Sequence, residues 1–530
     1  MNNWDELQKA ARTGKLTRRE FLGRAAALGV TTSLASGAMA TMSFAADAPK
    51  KGGTLRLGLA GGSTTDSMDV RTYTDSFMMN VGAAIMNATI EIDPDNNPIP
   101  SLFESWDTKP GAAEWVFKVK QGVTFHNGKT LDADDIVYSF NLHRGKDTKS
   151  SAAVYLAGVD DIKATDKHEV TFTLKEGDAD LLYSLSDYHF LVVPKDFNDW
   201  SKPIGTGAFK YDAYEPGVSA RVVRNENYWN PGRGNVDVAE YTCINDTAAR
   251  MNALVAGQVD LIHRVDTSTI DLIKAVPNLQ LIQKAGGYHA IYAMRCDMPP
   301  FDNADLRRAV KYAVDRDQLL KALFNGYGVI GNDTQIPPTD PFYNTELEQY
   351  KYDPDKAKFY LKKSGVTKIT APLSASDAAF NGAVDAALLF QANAKAAGVD
   401  FPLKKEPADG FWDNVWLKVP FCESYWGGRP CATMMMTVAM ASTAAWNETG
   451  WKVPAFDKLL SDAKKEIDHE KRKQMIWELQ RMTHDDGGAV VPAFKSWVDA
   501  ADKKVKNYQP YSLYDLCNTR VAEMVWIDEA

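Results

Sequence analysis

The sequence predicts a mixed α/β protein of more than one domain, and three observations predict it. At 530 residues, the chain is long for one hydrophobic core. Strand-period and helix-period patterns interleave from residue 50 to the carboxyl end. No fixed-period repeat and no low-complexity linker interrupts them.

The elements follow in order. "GGTLRLGLAGG" is a strand with Leu55, Leu57 and Leu59 on one side, ending in a glycine loop. "ATIEIDPDNNPIPSL" is a strand, a polar turn and an extended exit. Asp93, Asp95 and Asn97 hint at a calcium loop, but Pro98 stands where such a loop needs glycine, so a hairpin turn is expected. "EWVFKVKQGVTFHNG" alternates Trp115, Phe117 and Val119 with polar residues, the pattern of a half-buried strand. In "LDADDIVYSFNLHR", Asp132 can cap a helix, Asp134 and Asp135 suit its positive end, and Ile136, Val137 and Phe140 form its buried stripe. His126 sits in the preceding turn and reads as structural. Two strands follow in "FKYDAYEPGVSARVVRN". "DTAARMNALVAGQVDLIHRV" reads as a helix burying Met251, Leu254 and Val255, then a buried strand. A helix pair follows, with Asp315 and Gln318 as a capping pair and Gly326 as terminator. Another helix has Asp353 as cap, Pro354 at its first position and Gly365 at its end. Amphipathic stretches run from Phe456 to Ile467 and from Glu470 to Thr483.

Composition narrows the class. Hydrophobic residues are 45% and charged residues 24% of the chain, as in ordinary globular proteins. A net charge of -9 offers no basic footprint for nucleic acid. No apolar run in the body reaches the roughly 18 residues that span a bilayer. The amino terminus stands apart. Lys15, Arg18, Arg19 and Arg24 precede a weakly apolar stretch that ends in Ala38-Met39-Ala40, the layout of a cleaved export signal. Thr17-Arg18-Arg19-Glu20-Phe21-Leu22 resembles the twin-arginine (Tat) signal. A second cut site lies after Ala45 or Ala46, and no cysteine stands there for a lipid anchor. The mature protein is therefore expected in a bacterial periplasm, exported by the Tat machinery. There the five cysteines, Cys243, Cys296, Cys422, Cys431 and Cys517, can oxidise. Cys422 and Cys431 are the candidate bridge; the alternative is that both are small buried hydrophobes.

Several segments, in this order, carry a resemblance: "SLFESWDTKPGAAEWVFKVKQGVTFHNGKTLDADDIVYSF", "IGTGAFKYDAYEPG" with "NENYW", "LVAGQVDLI", "PPFDNADLRRAVKYAVDRDQL" and "YDPDKAKFYLKKSG". Together they resemble the family 5 extracellular solute-binding proteins of bacterial ABC importers, whose members include dipeptide-, oligopeptide- and nickel-binding proteins. The resemblance covers almost all of the mature chain. It implies a two-lobed periplasmic binding protein fold (type II, cluster C-like) with a cleft between the lobes and an extra subdomain on lobe one. The implied division is a signal and leader at 1–46 and lobe one at 47–285, completed by 490–530. The subdomain lies at about 80–200, and lobe two at 286–489. Such proteins close about a hinge on a small solute and deliver it to the transmembrane subunits of a permease. No catalysis, cofactor or metal is implied, and a monomer is expected.

The same resemblance places "SYWGGRPCATMMM" at the cleft. Peptide-binding relatives carry a Trp-Gly-Asp-type loop there, whose acid meets the peptide's ammonium. Trp426 matches the aromatic position, while Arg429 stands at or beside the acid's place, and no acid occurs between Glu423 and Glu448. A guanidinium binds carboxylate or phosphate through paired hydrogen bonds and repels an ammonium. Tyr425, Trp426, Gly427, Gly428 and Arg429 are the ligand candidates here. The competing account for Arg429 is a salt bridge or hydrogen bonds to loop carbonyls; for Trp426 it is core packing. Arg295, Thr65, Phe494 and Trp497 complete the candidates, with Arg295 open to a salt bridge with Asp297 or Asp302 instead. Asp66 and Asp69 are weaker choices, and Met434, Met435 and Met436 read as adaptable packing. A solute bearing a carboxylate is expected: an acidic or modified peptide, an opine-like conjugate or a sugar acid. The rival classes are a chaperone or chemoreceptor partner, a metal or haem carrier, and a secreted hydrolase. The last lacks any GxSxG, HExxH or cysteine–histidine motif with context.

Overall fold

The buried leucines of the first strand set the frame. The computed structural model describes residues 49–380 and 382–528. In it Leu55, Leu57 and Leu59 of Thr54–Leu59 are fully buried. The chain divides into two units, Met1–Gly52 and Gly53–Ala530, and the second carries everything described below. The export signal, its cleavage sites and the Tat assignment lie outside the described residues.

Among the described residues twelve strands join one sheet. Toward one end lies a parallel patch in which Thr54–Leu59 pairs with both Val238–Cys243 and Leu261–Ile262, edged by the antiparallel strands Ser219–Arg224 and Phe209–Glu215. At the other end is a second parallel patch, Leu373–Ala375 between Leu403–Lys405 and Phe421–Trp426. The long strand Leu279–Met294 and the antiparallel return strand Ala493–Asp502 connect the two. Their register slips between Ala285 and His289, where Gly286 and Gly287 fall. A Cβ on Gly286 would lie 2.9 Å from the Trp497 indole nitrogen, so glycine lets the strands cross there.

Separate cores sit on either side of this crossing. One packs the first strand against the helix Ser76–Ile85 and the carboxyl-terminal segment around Tyr511–Ile527. Another joins Tyr292, Leu306, Val310, Phe390 and Phe421, and a third joins Trp426, Met435, Met436, Phe456 and Phe494. The subdomain has its own core under a four-stranded antiparallel sheet. There Phe103 stacks on Phe117 at 4.4 Å, and Phe117 meets Phe172 edge-on at 5.3 Å. The helix Ala133–Asn141 covers this core, started by a capping box between Asp132 and Asp135.

Local chemistry accounts for most element ends. Asp315 and Asp353 cap their helices, and Gly365 ends its helix in the left-handed region. At the end of Arg316–Phe324 the left-handed cap is Asn325, one residue before Gly326. The Asp93 carboxylate accepts from the Asp95 and Asn97 amides at 2.9 and 2.8 Å, which closes a hairpin turn. The His126 Nε2 lies 3.1 Å from the Gly207 carbonyl oxygen, holding two loops together.

Two expectations are corrected. Val255 is 44% exposed; it is the last residue of Thr247–Val255, where the helix no longer faces the core. Cys422 and Cys431 are both free and buried. Cys422 is the second residue of an extended strand and packs with Phe411 and Val415. Cys431 caps the next helix and packs with Ile92 and Tyr183 of the subdomain. The strand and its turn carry the two thiols into different cores, so no bridge forms.

Candidate functional site

The turn after Phe421–Trp426 is built by close backbone approach. His289 pairs with Trp426 across the sheet, which brings the Gly286-Gly287 slip onto the turn. A Cβ on Gly428 would stand 2.9 Å from Gly287 Cα, and one on Gly287 would stand 2.6 Å from Gly428 Cα. The crossing strand and the turn touch through hydrogen alone, as only glycine permits. A Cβ on Gly427 would meet Arg429 Nη1 at 3.8 Å, an ordinary contact.

A buried carboxylate fixes the tryptophan. Glu448 accepts a hydrogen bond from the Trp416 indole at 2.8 Å and another from the Trp426 indole. Burial pushes the Glu448 pKa up, and the two indole donors pull it back. Trp426 is 5% exposed, so it supports the site from below. Trp446 meets it edge-on at 6.0 Å, and the Arg429 guanidinium lies over its ring at 5.7 Å.

Arg429 is half-buried. Its Nη1 donates to the Gly427 and Gly428 carbonyl oxygens, both at 3.2 Å, and among the described residues no carboxylate pairs with it. The carbonyl contacts anticipated from sequence are thus present, but they use one nitrogen and leave Nε and Nη2 open. The Arg429 charge is felt on both sides of the gap. Burial, and then the guanidinium, pull His289 down to about 4. Tyr155 of the subdomain and Tyr514 of the carboxyl-terminal segment are pushed up by burial and by Asp187, and eased back by Arg429.

Arg429 also lines a cavity of about 1030 Å³ between the subdomain and lobe two. Of the nine residues proposed from sequence, it is the one that does. Tyr425 is 42% exposed on the other face of the strand, stacked with Tyr288 at 5.5 Å and edge-on to Trp412 at 5.9 Å. Trp497 is half-buried and donates to the Ser512 carbonyl oxygen at 3.0 Å, with Arg264 over its ring at 5.4 Å. Thr65 is exposed, its hydroxyl 2.9 Å from that of Ser63.

Two candidates have other work. Phe494 is fully buried against His289 at 4.9 Å and is core, packed in one cluster with Trp426 and Met436. Arg295 donates to both oxygens of Asp297 at 2.8 and 2.6 Å and to the Leu417 carbonyl oxygen at 2.6 Å. It serves the competing account, a structural ion pair within lobe two. Sequence reasoning passed over Tyr155, Trp446 and Glu448. A tryptophan two residues before an acid in the polar run "STAAWNETG" was the available signal. Lys495 was also passed over. It lies over Tyr288 at 5.9 Å, and packing, then Arg264, pull its pKa down.

Residues 97–448 match the family described as bacterial extracellular solute-binding proteins, family 5 (middle). The dipeptide-binding protein of Escherichia coli K12 is 24% identical over 491 residues, covering 84% of this chain and 88% of its own. The haem-binding protein A of Haemophilus influenzae is 29% identical over 310 residues, 53% of this chain. The chain spans little more than half of that protein's length, 56%. Among solved structures, the periplasmic binding protein AgaA of A. tumefaciens R10, in complex with agropinic acid, superposes with a TM-score of 0.69 at 22% identity. That match covers 90% of this chain and 99% of AgaA. With that span matched and that two-lobed architecture, the chain belongs to family 5 of the bacterial extracellular solute-binding proteins.

Proposed function

We propose that the chain captures a small organic anion, bearing a carboxylate or phosphate, at Arg429 by closing its lobes. As a family 5 protein it is the periplasmic solute-binding component of an ABC importer and serves that importer's transmembrane subunits. The observation that carries the anion is the half-buried Arg429, stacked on Trp426 with two nitrogens open and, among the described residues, no acid paired to it. Closure strips water from such a cation, so a solute has to supply the partner. An acidic or modified peptide, an opine-like conjugate or a sugar acid satisfies this requirement. The dipeptide-binding relative and the agropinic acid complex fall within that range of chemistry. We read the protein as a monomer exported by the Tat machinery, and as a binder that carries out no reaction.

The test is mass spectrometry of the solute retained by gently purified protein, followed by thermal shift with that compound. The expected compound is anionic and raises the melting temperature of the wild type but not of Arg429→Ala. At a hundredfold excess over Kd the stabilisation is about 2.7 kcal/mol. A retained amine, or a peptide whose ammonium lies at Arg429, overturns the reading.

A further inference from the structure

The cavity beside Arg429 is larger than an anionic group needs. Small-molecule sites run from about 300 to 1,000 Å³, and this one, at about 1030 Å³, stands at the upper end of that range. Its lining is uneven. Val154 of the subdomain is 70% exposed and Trp446 of lobe two is 48% exposed, and both face this one cavity. Met434, Val438 and Leu460 add to the apolar wall. Large apolar side chains gathered in one concave place mark a binding surface. The carboxylates around them are already engaged. Glu176 stands 3.8 Å from Lys465, Asp178 accepts from the Asp180 amide at 3.0 Å, Asp180 pairs with Arg472, and Asp457 accepts from the Ser442 amide at 2.8 Å. Of the lining cations, Lys175 donates to the Ala157 carbonyl oxygen at 2.9 Å, Lys464 and Lys465 lie near Asp178 and Glu176, and Arg429 has no carboxylate paired to it among the described residues; the indole of Trp426 lies against both Arg429 and Trp446. A charged head at Arg429 therefore has an apolar shelf next to it.

We propose that the solute is an amphiphilic anion, its charged head on Arg429 and an apolar acyl or aromatic body lying in the chamber over Trp446 and Val154. The proposal rests on the anion reading of Arg429 and adds the chemistry of the rest of the ligand. A body of this kind gains roughly fourfold in affinity for each methylene it buries.

Two probes separate head from body: N-acetylglycine and N-octanoylglycine, titrated by calorimetry into the full-length mature protein. N-octanoylglycine is expected to bind at least ~100-fold more tightly. Trp446→Ala and Val154→Asn should each remove ~10-fold or more of that gain, leaving N-acetylglycine unchanged. The Val154 variant alters an exposed side chain, so a folding defect in the tryptophan variant does not block the test. Arg429→Ala should weaken both probes alike. If the two probes bind equally, or the gain survives both chamber variants, the amphiphile is overturned and the anion reading stands. If the gain depends on Trp446 but Arg429→Ala changes neither probe, the anion reading fails while the chamber keeps its body. If neither probe binds, both readings fall.

Discussion

At the scale of single residues, the turn works through two glycines with different duties. Gly428 meets the Gly287 backbone, whereas a Cβ on Gly427 would have no atom nearer than 3.8 Å, beyond its chain neighbours. Gly427→Ala should therefore be nearly silent. Gly428→Ala must push two backbones apart and is expected to cost about 1–3 kcal/mol. Urea denaturation of the pair checks this, and equal stabilities would refute the close approach. Glu448 offers a second test. Removing its carboxylate in Glu448→Ala leaves the buried Trp426 indole N–H unpaired, at about 1–3 kcal/mol, releases the half-buried Trp416 indole, and frees Trp426 to move. The expected readout is a lower denaturation midpoint together with altered near-ultraviolet circular dichroism of the tryptophans. This scale also shows what was legible in the sequence. That an acid is expected in the double-glycine loop followed from the family resemblance; that a cation stands there could be read from residue types. That Trp426 is support and Phe494 is core could not, because which face of a strand meets solvent depends on neighbours far along the chain. Arg295 likewise found its partner at Asp297 only once the strand end had been placed.

At the scale of elements, caps and alternation were legible because their causes are local: Asp132, Asp315 and Asp353 each bond an amide within three residues. The contacts between elements were not legible, and one set bears on function. Asp180, beside the subdomain helix Leu181–Leu185, forms a buried ion pair with Arg472 of the helix His469–Asp486 and accepts a hydrogen bond from Thr433. Next to it the Ala179 amide donates to the Lys464 carbonyl oxygen at 2.7 Å. These bonds join residues 179–180 to residues 433–472; on the division expected from sequence they run from the subdomain to lobe two, and opening the cleft would then break them. In the open form both charges regain water, and in the closed form each depends on the other. Asp180→Asn should shift the solute-free protein toward the open form. Small-angle scattering should register this as a larger radius of gyration, and the double swap Asp180→Arg with Arg472→Asp should bring it back toward wild type. An unchanged radius in the single variant would show that the pair does not govern closure.

At the scale of the whole molecule, buried titratable groups pull the pH profile in opposite directions. Burial pushes Asp340 up to about 7, and the neighbouring Asp180 adds to this; the Phe342 amide and Arg472 act against it. In the unfolded chain that carboxyl loses its proton near its ordinary value of 3.8, whereas in the folded chain it keeps it to about 7. Between those values folding takes up a proton, so stability falls as pH rises and levels off above about 7. Buried histidines act oppositely. Burial lowers His126 and His289 to about 4 and His143 to about 3, from 6.5. Stability therefore rises with pH up to about 6.5 as the unfolded chain gives up those protons. The raw profile mixes both slopes, but a difference between variant and wild type does not. Asn at position 340 can still accept from the Phe342 amide, which lies 2.8 Å from Oδ1 in the wild type, and it carries no proton to lose. Asp340→Asn should match or trail the wild type near pH 4. Its advantage should then grow steadily to pH 7 and stay constant above, reaching at most about 4 kcal/mol. Denaturation curves of the two proteins at unit pH steps measure that difference. A flat difference across the window would mean that Asp340 is already ionised in the folded protein, with Arg472 outweighing the cost of its burial.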